Sequence, residues 1–278
     1  MQNNKLLFLF MMCCFGLYTQ VSKAQVSESD SLELVNFYYA TSGDNWNNNS
    51  GWLVEPVSEW YGITLTDDGS AVKEIFISFN NLTGNTPNLN LQYLEVLGLH
   101  HNQLIGNIPD FSNLPNLITL HLNNNLLIGN IPDFNNLPNL IILYLNDNLL
   151  TSNIPNFSNL PYLSSLVLRN NLLTGNIPNF DNLPNLSFLW INNNQLVGTI
   201  PNFTSFLNLE EIHITNNQIT GTIPSFTLPS LKVLQVDSNE LTGSIPDFNL
   251  PNLRDLYLSN NELTGSIPDF NLPNLRDL

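Results

Sequence analysis

The four histidines of this chain, His100, His101, His121 and His213, fall within one recurring stretch of the sequence instead of being spread along it. Imidazole ligates metals and moves protons near neutral pH, so both chemistries have to be weighed first. As metal ligands, His100, His101 and His121 lack a carboxylate placed as a third donor, and adjacent residues of a strand point to opposite sides. As acid–base groups, Glu210, Glu211 and His213 share one strand, but a flat surface offers no desolvated cleft to shift their pKa values. Asp44, Asn45 and Asn47 carry oxygens suited to calcium, but a polar turn ahead of a packed Trp46 accounts for them better. No metal, no cofactor and no catalytic residue is assigned, and the reading is of a protein that is not an enzyme. What remains is contact chemistry, in which large amphipathic side chains on a rigid surface form the core of an interface.

The elements that position these residues follow from a repeat. Nine asparagines, Asn80, Asn102, Asn125, Asn148, Asn171, Asn194, Asn217, Asn239 and Asn261, recur at steps of 22 or 23 residues, and the prolines from Pro87 to Pro268 keep the same steps. The unit reads approximately LPNLxxLxLxxNxLxGxIPxF, as in residues 114–134. Alternating leucines such as Leu120 and Leu122 turn inward from a short strand and leave their neighbours outward. The asparagine supplies amide donors and an acceptor for backbone left unpaired where the chain turns away. The glycine suits an unusual backbone angle, and the proline ends ladder pairing on the way back. A phenylalanine column, Phe111 to Phe270, forms a second spine behind the sheet. Stretch 239–256 recurs letter for letter as 261–278, one more turn of the same series.

This pattern resembles the leucine-rich-repeat family, and its LxGxIP portion is most similar to the plant-type, receptor-like subclass that bacterial surface proteins also use. The resemblance implies an α/β solenoid: a horseshoe with a parallel β-sheet on the concave face, an irregular or 3-10 convex side, and a small amino-terminal cap with a short helix. It also implies recognition of a protein or peptide, with a glycan as the alternative. A third alternative is an adhesive spacer whose functional part lies beyond Leu278.

Three regions are expected. Residues 1–24 read as a secretory signal peptide, cut after Ala24, with an apolar run too short to span a bilayer. Residues 25–71 form the cap: Asp30 and Glu33 signal a helix start, with Leu32, Val35 and Tyr39 on that helix and Gly43 closing it. Where the plant-type cap carries two cysteines, Ser58 and Leu65 stand here, so Trp46, Trp52 and Trp60 have to pin the cap by packing. Residues 72–278 form about nine repeats and the start of a tenth, without a carboxyl-terminal cap, which suggests a piece of a longer chain. Both cysteines, Cys13 and Cys14, lie in the leader. The formal charge of −16 disfavours nucleic acid and anionic lipid as partners. A secreted or cell-surface location follows from the leader, and no integral membrane span is expected.

Outward positions line up as columns across the turns. The central one is Gly98, His121, Tyr144, Val167, Trp190, His213, Gln235 and Tyr257, and the next includes His100, Asn123, Asn146 and Arg169. The expected ligand surface is therefore His100, His121, Tyr144, Asn146, Arg169, Trp190, His213 and Tyr257, with Tyr144 and Trp190 roughly 10 Å apart across Val167. The plainer explanation, that strands favour aromatic residues anyway, stands beside it.

Overall fold

The computed structural model describes residues 25–203 and 206–278, and the leader expected over residues 1–24 lies outside them. Nine strands, from Val72–Phe76 to Asp255–Tyr257, lie parallel and in sequence order in one sheet, with Ile63–Leu65 added antiparallel at its first edge. Each strand advances the register by one repeat, so Leu97 faces Leu120, Leu120 faces Leu143 and Leu166 faces Leu189. These middle residues are all fully buried, as the alternation requires. A bridge between Asp255 and Asp277 begins a tenth turn.

The asparagine column joins turn to turn. Asn125 Nδ2 donates to the carbonyl of Leu122 in its own turn at 3.0 Å and to that of Leu99 in the preceding turn at 3.1 Å. Its Oδ1 accepts the N–H of Leu104 at 3.0 Å. Asn148, Asn171, Asn194, Asn217, Asn239 and Asn261 repeat this three-way bond. One amide thus satisfies backbone groups that would otherwise be buried unpaired.

Behind the sheet the phenylalanine column is buried from Phe111 to Phe248, with Phe157 and Phe180 stacked, centroids 6.5 Å apart and planes at 14°. The flank between the asparagine column and the convex turns carries further pairing. The LxGx segments Thr83–Asn85, Gln103–Asn107, Leu126–Gly129 and Leu149–Leu150 pair as a second parallel sheet, and Thr220–Thr222, Glu240–Ser244 and Glu262–Thr264 as a third. Pairing survives there because the proline comes after the segment, not within it. Among the described residues the 3-10 helices, Gly43–Asn45 and Val57–Glu59, lie in the amino-terminal segment and not on the convex side.

Helix α1 spans Glu28–Ala40, and its N-cap is Ser27, whose Oγ accepts the N–H of Asp30 at 3.0 Å. The cap is three residues earlier than Asp30, and the buried face changes with it. Leu34, Phe37 and Tyr38 face the core, while Leu32 and Tyr39 are 59% and 64% exposed. Asp30 instead ties the helix to the first parallel strand, accepting the N–H of Val72 at 3.0 Å. Against this helix the three tryptophans pack as a chain, Trp46 to Trp52 at 4.9 Å and Trp52 to Trp60 at 4.6 Å. Each indole N–H donates to a backbone carbonyl, of Thr41, Tyr61 and Glu55 respectively. Aromatic packing thus pins this amino-terminal segment.

Candidate functional site

In each three-residue strand the first and third side chains face outward from the concave side. Parallel pairing in one register lines the third positions into a continuous column, Phe76, Gly98, His121, Tyr144, Val167, Trp190, His213, Gln235 and Tyr257. Val167 is the short member of its middle stretch, and its size sets the relief of the face.

On one side of Val167 the rings form a stack: Tyr144 lies flat on His121, with centroids 4.7 Å apart and planes at 7°, and His121 meets His100 edge-on at 5.6 Å. On the other side Trp190 leans on His213 at 4.9 Å. Trp190 Nε1 donates to Glu211 Oε2 at 3.1 Å, which holds the indole upright. His213 Nε2 stands 3.2 Å from the same oxygen, close enough for attraction but without a hydrogen bond's alignment. Between the two blocks is a notch of about 440 Å³, floored by Val167 and Ser165 and walled by Tyr144, Phe188 and Trp190. Arg169 and Asn146 border it as well. The Arg169 guanidinium lies 3.8 Å from Asp147. Asn146 is buried and donates to Asp147 at 2.6 Å, so its amide is already engaged. Tyr257 is 38% exposed and stands apart, separated from His213 by Gln235.

The face is therefore not flat, and its imidazoles are desolvated. Burial, with a smaller contribution from His100, pushes His121 down to about 4. His100 is lowered by burial and then by His101. His213 is lowered by burial, against an opposing pull from Glu211. All three are uncharged at neutral pH and present apolar, hydrogen-bonding rings. His101 does not point away from His100: it follows the strand in a left-handed turn, φ 54°, with its ring 5.6 Å from His100 and stacked on Phe79 at 4.0 Å. Among the described residues no group of three His, Cys, Asp or Glu side chains is placed to hold a metal ion.

The family sequence model described as Leucine Rich Repeat matches residues 185–207, 208–227 and 252–272. Among solved structures, the plant peptide hormone receptor RGFR1 in complex with RGF2 superposes with a TM-score of 0.66 at 36% identity, over 72% of this chain and 32% of the receptor. The Arabidopsis receptor kinase HAESA ectodomain, in complex with an IDA peptide hormone ligand, gives 0.69 at 30%, over 90% of this chain and 48% of the other. The chain belongs to the leucine-rich-repeat family. A plant ice-binding protein of similar length also superposes, with a TM-score of 0.69 at 25% identity over 88% of this chain and 90% of that one. Comparison with curated proteins gives no match. This leucine-rich-repeat chain spans about a third to a half of the receptor chains it matches. No helix among its described residues is long and apolar enough to cross a membrane.

Several residues of the leucine-rich-repeat concave face were not among those expected to carry it. Phe76 extends the central column one turn earlier, its ring lying over Gly98, where an added Cβ would come within 2.5 Å of it. Counting back one repeat from Gly98 finds it. Phe188, Ser165 and Glu211 sit in the preceding outward column and shape the notch or fix its wall. Their roles come from the height difference between neighbouring columns, which no single turn displays.

Proposed function

We propose that this protein is a non-catalytic recognition module, exported from the cell, that binds an extended peptide or a protein segment across the strands of its concave face. The notch between Tyr144 and Trp190 is the observation that carries this reading. Its Val167 floor and aromatic walls suit one inserted side chain, and the neutral imidazoles of His121 and His213, stacked behind the walls, extend the aromatic surface on either side. The peptide-hormone complexes of the two receptors support the choice of ligand class.

The test is selection from a displayed library of random peptides about 12 residues long, enough when extended to cross roughly eight strands. Binders should require the notch: Tyr144→Ala with Trp190→Ala should remove capture, and so should Val167→Trp, which fills the notch without taking a wall away. Circular dichroism and thermal unfolding confirm that each variant is folded. Peptides captured equally by all three proteins would overturn the reading, and so would notch-dependent binding of glycans on an array with no peptide binding at all.

A second reading is favoured by one observation. The third sheet exposes Thr220, Thr222 and Thr264 on the flank, with Glu240 and Glu262 interleaved among them, and the ice-binding neighbour aligns over nearly its whole length. An ice-recrystallisation assay in which Thr220→Lys and Thr222→Lys abolish activity supports that reading, and an inactive wild-type protein removes it.

A further inference from the structure

Resting on the peptide-binding reading above, we infer that the ligand is a peptide of two halves: an apolar or aromatic residue that fills the notch, and Lys or Arg residues that lie over the turns after Trp190. The concave face is divided in the same way. Before the notch it is mainly aromatic, running from Phe76 and Phe79 through His100 and His121 to Tyr144, with Glu74 the one carboxylate at its outward strand positions. After the notch it carries Glu211, Asp237 and Asp255 on successive strands or the turns that follow them.

These carboxylates lack cations of their own. Glu211 accepts the indole N–H of Trp190, and the His213 imidazole beside it is pushed toward its neutral form by burial. Asp237 accepts only hydroxyls, from Thr215 at 2.7 Å and Ser238 at 3.5 Å. Asp255 makes no ion pair among the described residues. Lys232 is engaged by Glu210, and Arg254 continues the Lys232 column along the edge of the sheet, with its backbone N–H bonded to the Lys232 carbonyl at 2.8 Å. The one guanidinium beside the notch, Arg169, is already next to Asp147. The formal charge of −16 adds a long-range field that draws a cationic partner and repels an anionic one.

Spacing gives the position of the basic residues. The Glu211 and Asp255 strands lie two and four strands beyond Val167, about 10 and 19 Å at the usual strand separation. An extended peptide covers about 3.3 Å per residue, which places the basic residues about three to six positions from the anchor.

The composition of peptides selected against the full chain tests this, with Tyr144→Ala/Trp190→Ala as the counter-target. Notch-dependent binders should show Lys and Arg at those positions at about tenfold excess over Asp and Glu, and the excess should vanish when selection is repeated on Asp237→Asn/Asp255→Asn. Notch-dependent binders without that excess overturn this inference and leave the peptide-binding reading standing. An excess that persists on Asp237→Asn/Asp255→Asn also overturns it, because the preference then comes from overall charge. Absence of any notch-dependent binder overturns both.

Discussion

The imidazole of His121 lies flat on the phenol ring of Tyr144, with centroids 4.7 Å apart and planes at 7°. This stack makes a side chain that is ordinarily half protonated near pH 6.5 into part of an apolar wall. Burial lowers His121 to about 4, so between about 4 and 6.5 the unfolded chain takes up a proton that the folded chain refuses. Stability therefore rises with pH through that window and falls as the solution is acidified. Thermal unfolding between pH 4 and 7 should show this slope, and His121→Gln should flatten it. In a proton NMR titration the His121 ring resonances should stay in the neutral form down to about pH 4.

The asparagine column makes the turns cohere, so its loss should be felt well beyond one side chain. Asn148→Ala removes the acceptor of the Leu127 N–H and the donor to the Leu122 and Leu145 carbonyls, all at a buried position. Unsatisfied buried backbone groups of this kind cost about 1–3 kcal/mol each before relaxation, and a total loss of about 3 kcal/mol is expected by urea denaturation. Asn156→Ala, on the exposed convex turn, should change stability by under about 0.5 kcal/mol.

The flank turn demands a left-handed residue, and one repeat supplies it without glycine. Gly129 has φ 78°, and an added Cβ would lie 2.3 Å from Asn107 Oδ1 of the preceding turn. Ser152 occupies the same position in the next repeat at φ 67°. Gly129→Ala should destabilise by about 1–2 kcal/mol, whereas Ser152→Gly should stabilise by up to about 1 kcal/mol, both read from denaturation midpoints.

How far the sequence reaches depends on whether a feature repeats. The inward leucines, the asparagine ladder and the phenylalanine spine are each set by a single period, so they were legible residue by residue. Helix α1 occurs once, and the capping signal read at Asp30 lies three residues inside the start that Ser27 caps. Ser27 caps the helix, and Leu34, Phe37 and Tyr38 turn inward while Leu32 and Tyr39 stay exposed. The flank sheets were hidden because the proline reads as ending ladder pairing, although here it comes after the paired segment. The column holding His121, Tyr144 and Trp190 could be counted from the repeat. The notch could not, because it arises from the contrast between a small Val167 and the rings packed on either side of it.

The most direct test of the account is a crystal structure of this chain with a peptide selected as notch-dependent. The account predicts an extended peptide crossing the strands, one apolar side chain over Val167 between Tyr144 and Trp190, and a basic residue within reach of Asp237 or Asp255. A peptide seated on the flank or convex face, with the concave notch empty, would contradict it.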